Sequence, residues 1–268
     1  MSIAIALATT AALAYALAAF GLARHLRVQG SAVNSRGSLL LGGGGALSHL
    51  SLHVWTGYLQ GAPDLHFFAA LSLVSLGMAA LTITAARLER LEALGVLVFP
   101  VAALSVLAYA LGGHSGDSGV DLLWPIQLHA WLALLAYATL ALAALFAAGL
   151  WLQERALRRR RITRLIRALP PLTQSERLLF RTLLAAFALL TLALVIGLVF
   201  VADLFNQHLA HKSVLSVLSW TVLVTLLFGH WHWGWRGAQA ARWTLAATLL
   251  LGLAFFGSRF VYEFLLTH

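Results

Sequence analysis

"LLAAFALLTLALVIGLVFVA", residues 183–202, has a single polar side chain, Thr191, and no charge. A helix of this length covers ~30 Å at ~1.5 Å per residue, the thickness of a bilayer's hydrocarbon core. Backbone N–H and C=O groups find no water there, so the segment has to satisfy them internally as a helix. The same kind of run recurs from end to end, over roughly 3–23, 38–60, 66–86, 93–112, 126–152, 179–202, 213–233 and 243–265. The reading is all-α: an integral membrane bundle of eight transmembrane helices, one domain over 1–268. With 61% hydrophobic and 10% charged residues, the 268-residue chain is not composed like a water-soluble globular protein.

The charge follows the membrane. A net +9 could suggest nucleic acid, but sixteen of the eighteen Lys and Arg fall in the segments 24–37, 87–92, 153–181 and 236–242. The exceptions are Lys212 and Arg259, on the side that also carries Asp64, Asp117, Asp121, Asp203 and Glu263. The positive-inside rule makes the first set cytoplasmic, with N-terminus and C-terminus both outside, and no nucleic-acid partner is expected. The first run has no basic residue before it and Arg24 after it, the reverse of a cleavable signal peptide.

Within 153–169 arginines recur at 155, 158, 161, 164 and 167 among Leu157, Ile162, Leu165, Ile166 and Leu169. This predicts an interfacial basic helix on anionic lipid headgroups, with protein docking as the alternative. Pro170 and Pro171 end it. "TQSE" then predicts a capping box, Thr173 as N-cap and Glu176 three residues on.

The chemistry rests on histidine. There is no Cys, hence no thiolate or iron–sulfur site. No nucleophile stands beside a base, no carboxylates pair at mid-span, and no phosphate loop is present, so an enzyme is not expected. His25, His66, His114 and His268 read as solvated residues near loops. Others lie at helix depth, where a polar group is costly and marks function by default. His49 and His53 share a face of the second helix, after four glycines in "LGGGGALSHLSLH", residues 41–53. Those glycines allow either close helix packing or the approach of a flat ligand. His129 opens the fifth helix beside Trp131. His230 lies in "GHWHWGWRGA", residues 229–238, and His232 points about 200° away from it. Neutral imidazoles from separate helices, with aromatic walls and arginines, suit a b-type haem better than zinc. The alternative for each is a hydrogen bond to a neighbouring helix. Trp231, Trp233 and Trp235 fit an aromatic belt at the inner interface.

Several stretches carry a family resemblance. "DLFNQHLAHKSVLSVLSW" at 203–220, "GWRG" at 234–237, "FFGSRFV" at 255–261 and the His-led helix from 128 resemble the cytochrome c assembly membrane-protein family of the CcsA/CcmC/HemX type. "LPPLTQSERLLF" at 169–180 and "LSLVSLGMAALTITAA" at 71–86 resemble its YpjD inner-membrane branch. The resemblance implies a multi-pass bacterial inner-membrane protein that binds haem b for cytochrome c maturation. It implies His129 as an outer ligand, His230 as a transmembrane ligand and His49 as the second transmembrane ligand by depth, with His53 and Trp131 in the surroundings. His49 and His230 differ by ~10 Å in depth at ~1.5 Å per residue, so tilt must close the gap if one haem is shared; His53 with His129 is the alternative pair. "NQHLAHKS" stands at 206–213 where the family's tryptophan-rich WGxxWxWD segment is expected. Other membrane proteins of cytochrome c maturation are the implied partners. The alternative is a non-haem accessory subunit, for example of an ion transporter, that keeps only the fold.

Overall fold

The structure, a computed structural model, describes residues 2–28, 35–61, 64–89, 91–112, 124–160, 171–200 and 207–260. Within them every regular element is helical. The long helices are α1 (Ser2–Val28), α2 (Arg36–Gln60), α3 (Phe67–Glu89), α4 (Gly95–Leu111), α5 (Trp124–Arg158), α6 (Leu172–Phe200), α7 (Gln207–Trp233) and α8 (Gly237–Gly252). The chain forms two compact units, residues 1–122 and 123–268. In the first, α1 packs on α2 and α4, and α3 on α2 and α4. In the second, α5 packs on α6 and α8, and α7 on α6 and α8. Each unit is a closed ring of four helices in chain order, the arrangement that short connections favour.

The packing follows small residues at a near-heptad spacing. On α1 the buried stripe is Ala8, Ala11, Tyr15, Ala18 and Leu22, while Leu13, Leu17 and Phe20 are exposed. On α6 it is Leu179, Leu183, Ala186, Leu190, Ala193 and Gly197, with Leu184, Leu192, Val195 and Leu198 exposed or nearly so. Lipid tails are as apolar as leucine, so these helices gain little from burying Leu against each other. They gain from close contact, which small residues permit. The large apolar side chains facing outward suit a hydrocarbon solvent and would be an aggregation surface in water.

Seven helices of the described residues are long and apolar enough to cross a membrane. The helix left out is α2, expected as one of eight crossings. Its six glycines, three serines and two histidines lower its hydropathy while its length stays ample. Two of those glycines show why they are there. A Cβ on Gly42 would lie 2.6 Å from the Phe99 ring, and one on Gly45 would lie 3.1 Å from Tyr15 and 3.3 Å from the Ala11 carbonyl. Gly42 and Gly45 therefore serve close packing against α4 and α1. Gly43 and Gly44 meet nothing within 4 Å.

Two local expectations change. Residues 153–158, assigned to an interfacial helix, continue α5 instead. The helix ends in a turn where Arg160 has φ 51°, a left-handed conformation that a helix cannot carry through; the remainder, 161–170, lies outside the described residues. The capping box at "TQSE" does not form. Gln174 and Ser175 donate their N–H groups to the Pro171 carbonyl, Thr173 is inside α6, and Glu176 directs its carboxylate to another helix. The prolyl carbonyl starts the helix unaided and leaves Glu176 available.

Candidate functional site

Of the histidines at helix depth, His49 and His53 lie in the first unit and His129 and His230 in the second. In the first, α2 presents His49 and His53 one turn apart, as their spacing requires, and their rings stack 5.4 Å apart. Both reach one hydroxyl on α3: Ser72 Oγ is 2.7 Å from His49 Nε2 and 2.9 Å from His53 Nε2. A hydroxyl has a single hydrogen, so Ser72 donates to one imidazole and accepts from the other. The second nitrogen of His49, Nδ1, is 3.4 Å from Tyr15 Oη on α1. His49 is 0% exposed and both its nitrogens have partners. Tyr109 of α4 stacks on His53 at 4.6 Å and donates to Thr56 Oγ1 at 2.8 Å. The result is a polar layer inside an apolar unit, each group answered by a neighbour, as hydrocarbon surroundings demand.

His66 corrects an expectation. Read as solvated, it is 9% exposed and buried against Tyr109, and its Nδ1 lies 2.6 Å from Asp64 Oδ1. The short segment between α2 and α3 folds onto the bundle's end, which the local sequence does not signal. His114 and His268, and the side chains of His208 and His211, lie outside the described residues.

In the second unit His129 and His230 share a different arrangement. His129 Nδ1 is 2.7 Å from the Ala193 carbonyl of α6. A carbonyl can only accept, so Nδ1 carries the hydrogen and Nε2 keeps a lone pair. One turn on, Gly197 makes room for the ring, since a Cβ there would lie 2.9 Å from His129 Cε1. His230 Nδ1 is 2.9 Å from the Trp235 carbonyl, so its hydrogen is likewise on Nδ1 and its Nε2 is bare. Phe180 of α6 stacks on this ring with centroids 3.4 Å apart. Donation of one ring N–H to a carbonyl is the usual way a metal-binding imidazole is held in one tautomer. Neither Nε2 has a hydrogen-bond partner among the described residues.

Other expectations divide. His232 stacks on Phe228 at 4.1 Å, away from His230's partner, as its angular position predicts. Trp231 is 87% exposed and Trp233 63%, as befits a belt. Trp235 departs from it. Its ring packs where Gly229 has no side chain, 2.5 Å from a notional Cβ, and stacks on Trp243 at 5.4 Å. Trp131 is 46% exposed, two residues and about 200° from His129, and the structure does not bring the two together. Tyr137, two turns along from His129, donates to the Leu251 carbonyl at 2.7 Å, just before the π-turn Leu253–Gly257, whose widened ladder leaves carbonyls to be satisfied. No cluster of three or more metal-binding side chains exists among the described residues.

The sequence profile of the cytochrome C assembly protein family matches residues 41–266. The chain belongs to this family. Inner membrane protein YpjD of Escherichia coli is 38% identical over 135 residues, a match that spans about half of each protein (50% and 51%). An uncharacterized 28.8 kDa protein of Azospirillum brasilense is 39% identical over 203 residues, 74% of this chain and 73% of that one. Protein HemX of Brevibacillus brevis is 30% identical over 131 residues, 48% of each. No solved structure matches significantly. With its seven apolar spans, this member of the cytochrome c assembly family is a multi-pass inner-membrane protein. Ser72, Tyr15 and Asp64 are site residues that sequence reasoning missed. A lone serine or tyrosine in an apolar run carries no signal until its partner helix is known.

Proposed function

We propose that this protein holds haem b in its membrane helices for cytochrome c maturation, as a carrier or relay that neither makes nor breaks bonds in a substrate. The observation that carries this reading is the shared tautomer of His129 and His230. Each donates Nδ1–H to a backbone carbonyl and keeps a bare Nε2, the form in which imidazole binds iron. Haem would bring most of the iron's ligands with it, and His230 and His129 would supply imidazole nitrogen. His230 takes the transmembrane position and His129 the outer one. His49 and His53 belong to the surroundings of the reading as a further ligand pool, with His49 able to bind iron by exchanging its Ser72 bond. His49 and His230 belong to different units. The partners in this reading are anionic lipid headgroups and other membrane proteins of cytochrome c maturation. An absorption spectrum of the detergent-purified protein, as isolated and after hemin addition, tests it. A Soret band with sharp α and β bands on reduction is expected, and a colourless protein with no hemin uptake overturns it.

The orientation is part of this reading: eight crossings, α2 included, with both termini outside, as the sixteen-to-two division of basic residues favours. A reporter fused after residue 165 is expected to be active only as a cytoplasmic fusion. Activity of a periplasmic reporter there would reverse the depth of every histidine.

One observation favours a second reading, a non-haem accessory subunit such as that of an ion transporter. His49, the most deeply buried histidine, has both nitrogens in hydrogen bonds, as a purely structural residue would.

A further inference from the structure

The turn ending in "GWRG" is held by carboxylates from two other helices. Glu176 Oε1 of α6 accepts the Gly237 N–H at 3.1 Å, and Glu154 Oε2 of α5 accepts the Ala238 N–H at 2.7 Å. These are the first N–H groups of α8, which have no partner within their own helix and carry the positive end of its dipole. Arg158 pairs with the other oxygen of Glu154 at 2.6 Å. Gly237 is indispensable to this geometry. Its φ is +56°, and a Cβ would lie 2.8 Å from Glu154 Oε2. Two residues before it, the Trp235 carbonyl accepts His230 Nδ1–H, and the Trp235 N–H bonds back to the Gly229 carbonyl at 3.2 Å. Glu176 is also one turn from Phe180, whose ring lies on His230. One face of α6 thus touches both the turn and the imidazole it orients.

We propose that Glu154 and Glu176 are positioning residues for His230. Their carboxylates fix the start of α8, the turn fixes the Trp235 carbonyl, and that carbonyl keeps the imidazole hydrogen on Nδ1. With the carboxylates gone, α8 can shift at its first turn and the carbonyl can leave. The ring is then free to rotate or to take the Nε2–H tautomer, which has no lone pair for iron at that atom. The proposal rests on His230 as a haem ligand.

The full-length protein in detergent provides the test. Wild type, Glu154→Leu/Glu176→Leu, Glu154→Gln/Glu176→Gln and Arg159→Gln are titrated with hemin. In parallel, the carbethoxylation rate of His230 by diethyl pyrocarbonate is followed in the haem-free proteins by peptide mass spectrometry. The Leu pair is expected to lower hemin affinity by about tenfold or more, the range found for outer partners of metal-bound histidines, and to speed His230 modification. The Gln pair keeps an oxygen for each N–H and is expected to restore most of both values. Arg159→Gln, exposed and outside the turn, is expected to match wild type. Unchanged hemin affinity in the Leu pair overturns the proposal, as does a Gln pair no better than the Leu pair. If wild type itself takes up no hemin, the haem reading fails separately, and the modification rates alone decide whether the carboxylates hold His230. Should the Leu pair fail to accumulate in the membrane, the single Glu154→Leu and Glu176→Leu variants carry the same comparison.

Discussion

Replacing His230 with alanine is expected to lower haem affinity by ~100-fold or more, at the top of or beyond the range for partners that only orient a ligand. The variant removes the imidazole but leaves most of its setting intact. Phe180 keeps its place on α6, and the turn stays closed by the Trp235–Gly229 bond and by the two carboxylates. The Trp235 carbonyl loses its donor, a modest cost at the end of a helix that is only part-buried there. The spectrum is therefore expected to change far more than the stability. Hemin titration with a thermal melt on the same sample checks this. A haem spectrum retained at wild-type affinity would remove His230 from the ligand set. His129→Ala is the companion measurement. Its ring also keeps a bare Nε2, so it too is expected to alter loading, while a transmembrane low-spin band survives if the two histidines serve separate positions.

Ser72→Ala is expected to destabilise the protein by ~2–3 kcal/mol, with the opposite balance of effects. The hydroxyl is shared by His49 and His53, so one substitution removes a hydrogen bond from a buried imidazole and from a half-buried one. Leaving a buried polar group unsatisfied costs ~1–3 kcal/mol in soluble proteins. Interhelical hydrogen bonds in membrane proteins average ~0.6 kcal/mol and reach ~1.7. Two bonds lost in a largely buried layer place the sum near the upper membrane figure for each. Alanine nearly fits the space, so little of the effect comes from a cavity. Thermal unfolding in detergent checks the magnitude, and a change under 0.5 kcal/mol would show that the polar layer contributes little. The same variant bears on the role of His49. Freed from Ser72, His49 Nε2 becomes available to iron, so hemin binding that rises while stability falls would make it a ligand held in reserve.

The helices and the membrane were legible from the chain alone. Runs such as 183–202 leave a backbone no alternative to a helix, and the arginines crowd onto alternate connections because moving them across a bilayer is costly. The placement of His49, His53, His129 and His230 within helices was legible too. Periodicity placed His49 and His53 on one face, and both do reach Ser72. What the linear order withheld was every relation that depends on a second helix. His66 looked solvated because its neighbours in sequence are loop residues, yet it is buried against Tyr109. Glu176 looked like half of a capping box because Thr173 is three residues away, yet its carboxylate meets Gly237, sixty-one positions on. Trp235 looked like one more belt residue because Trp231 and Trp233 precede it, yet it turns into the space left by Gly229. A hydrogen-bonding side chain in an apolar helix has a fixed angular position but an unspecified partner. Sequence sets the first through the helical period, and only the packing of helices against one another sets the second, including which nitrogen of His129 and His230 is left bare.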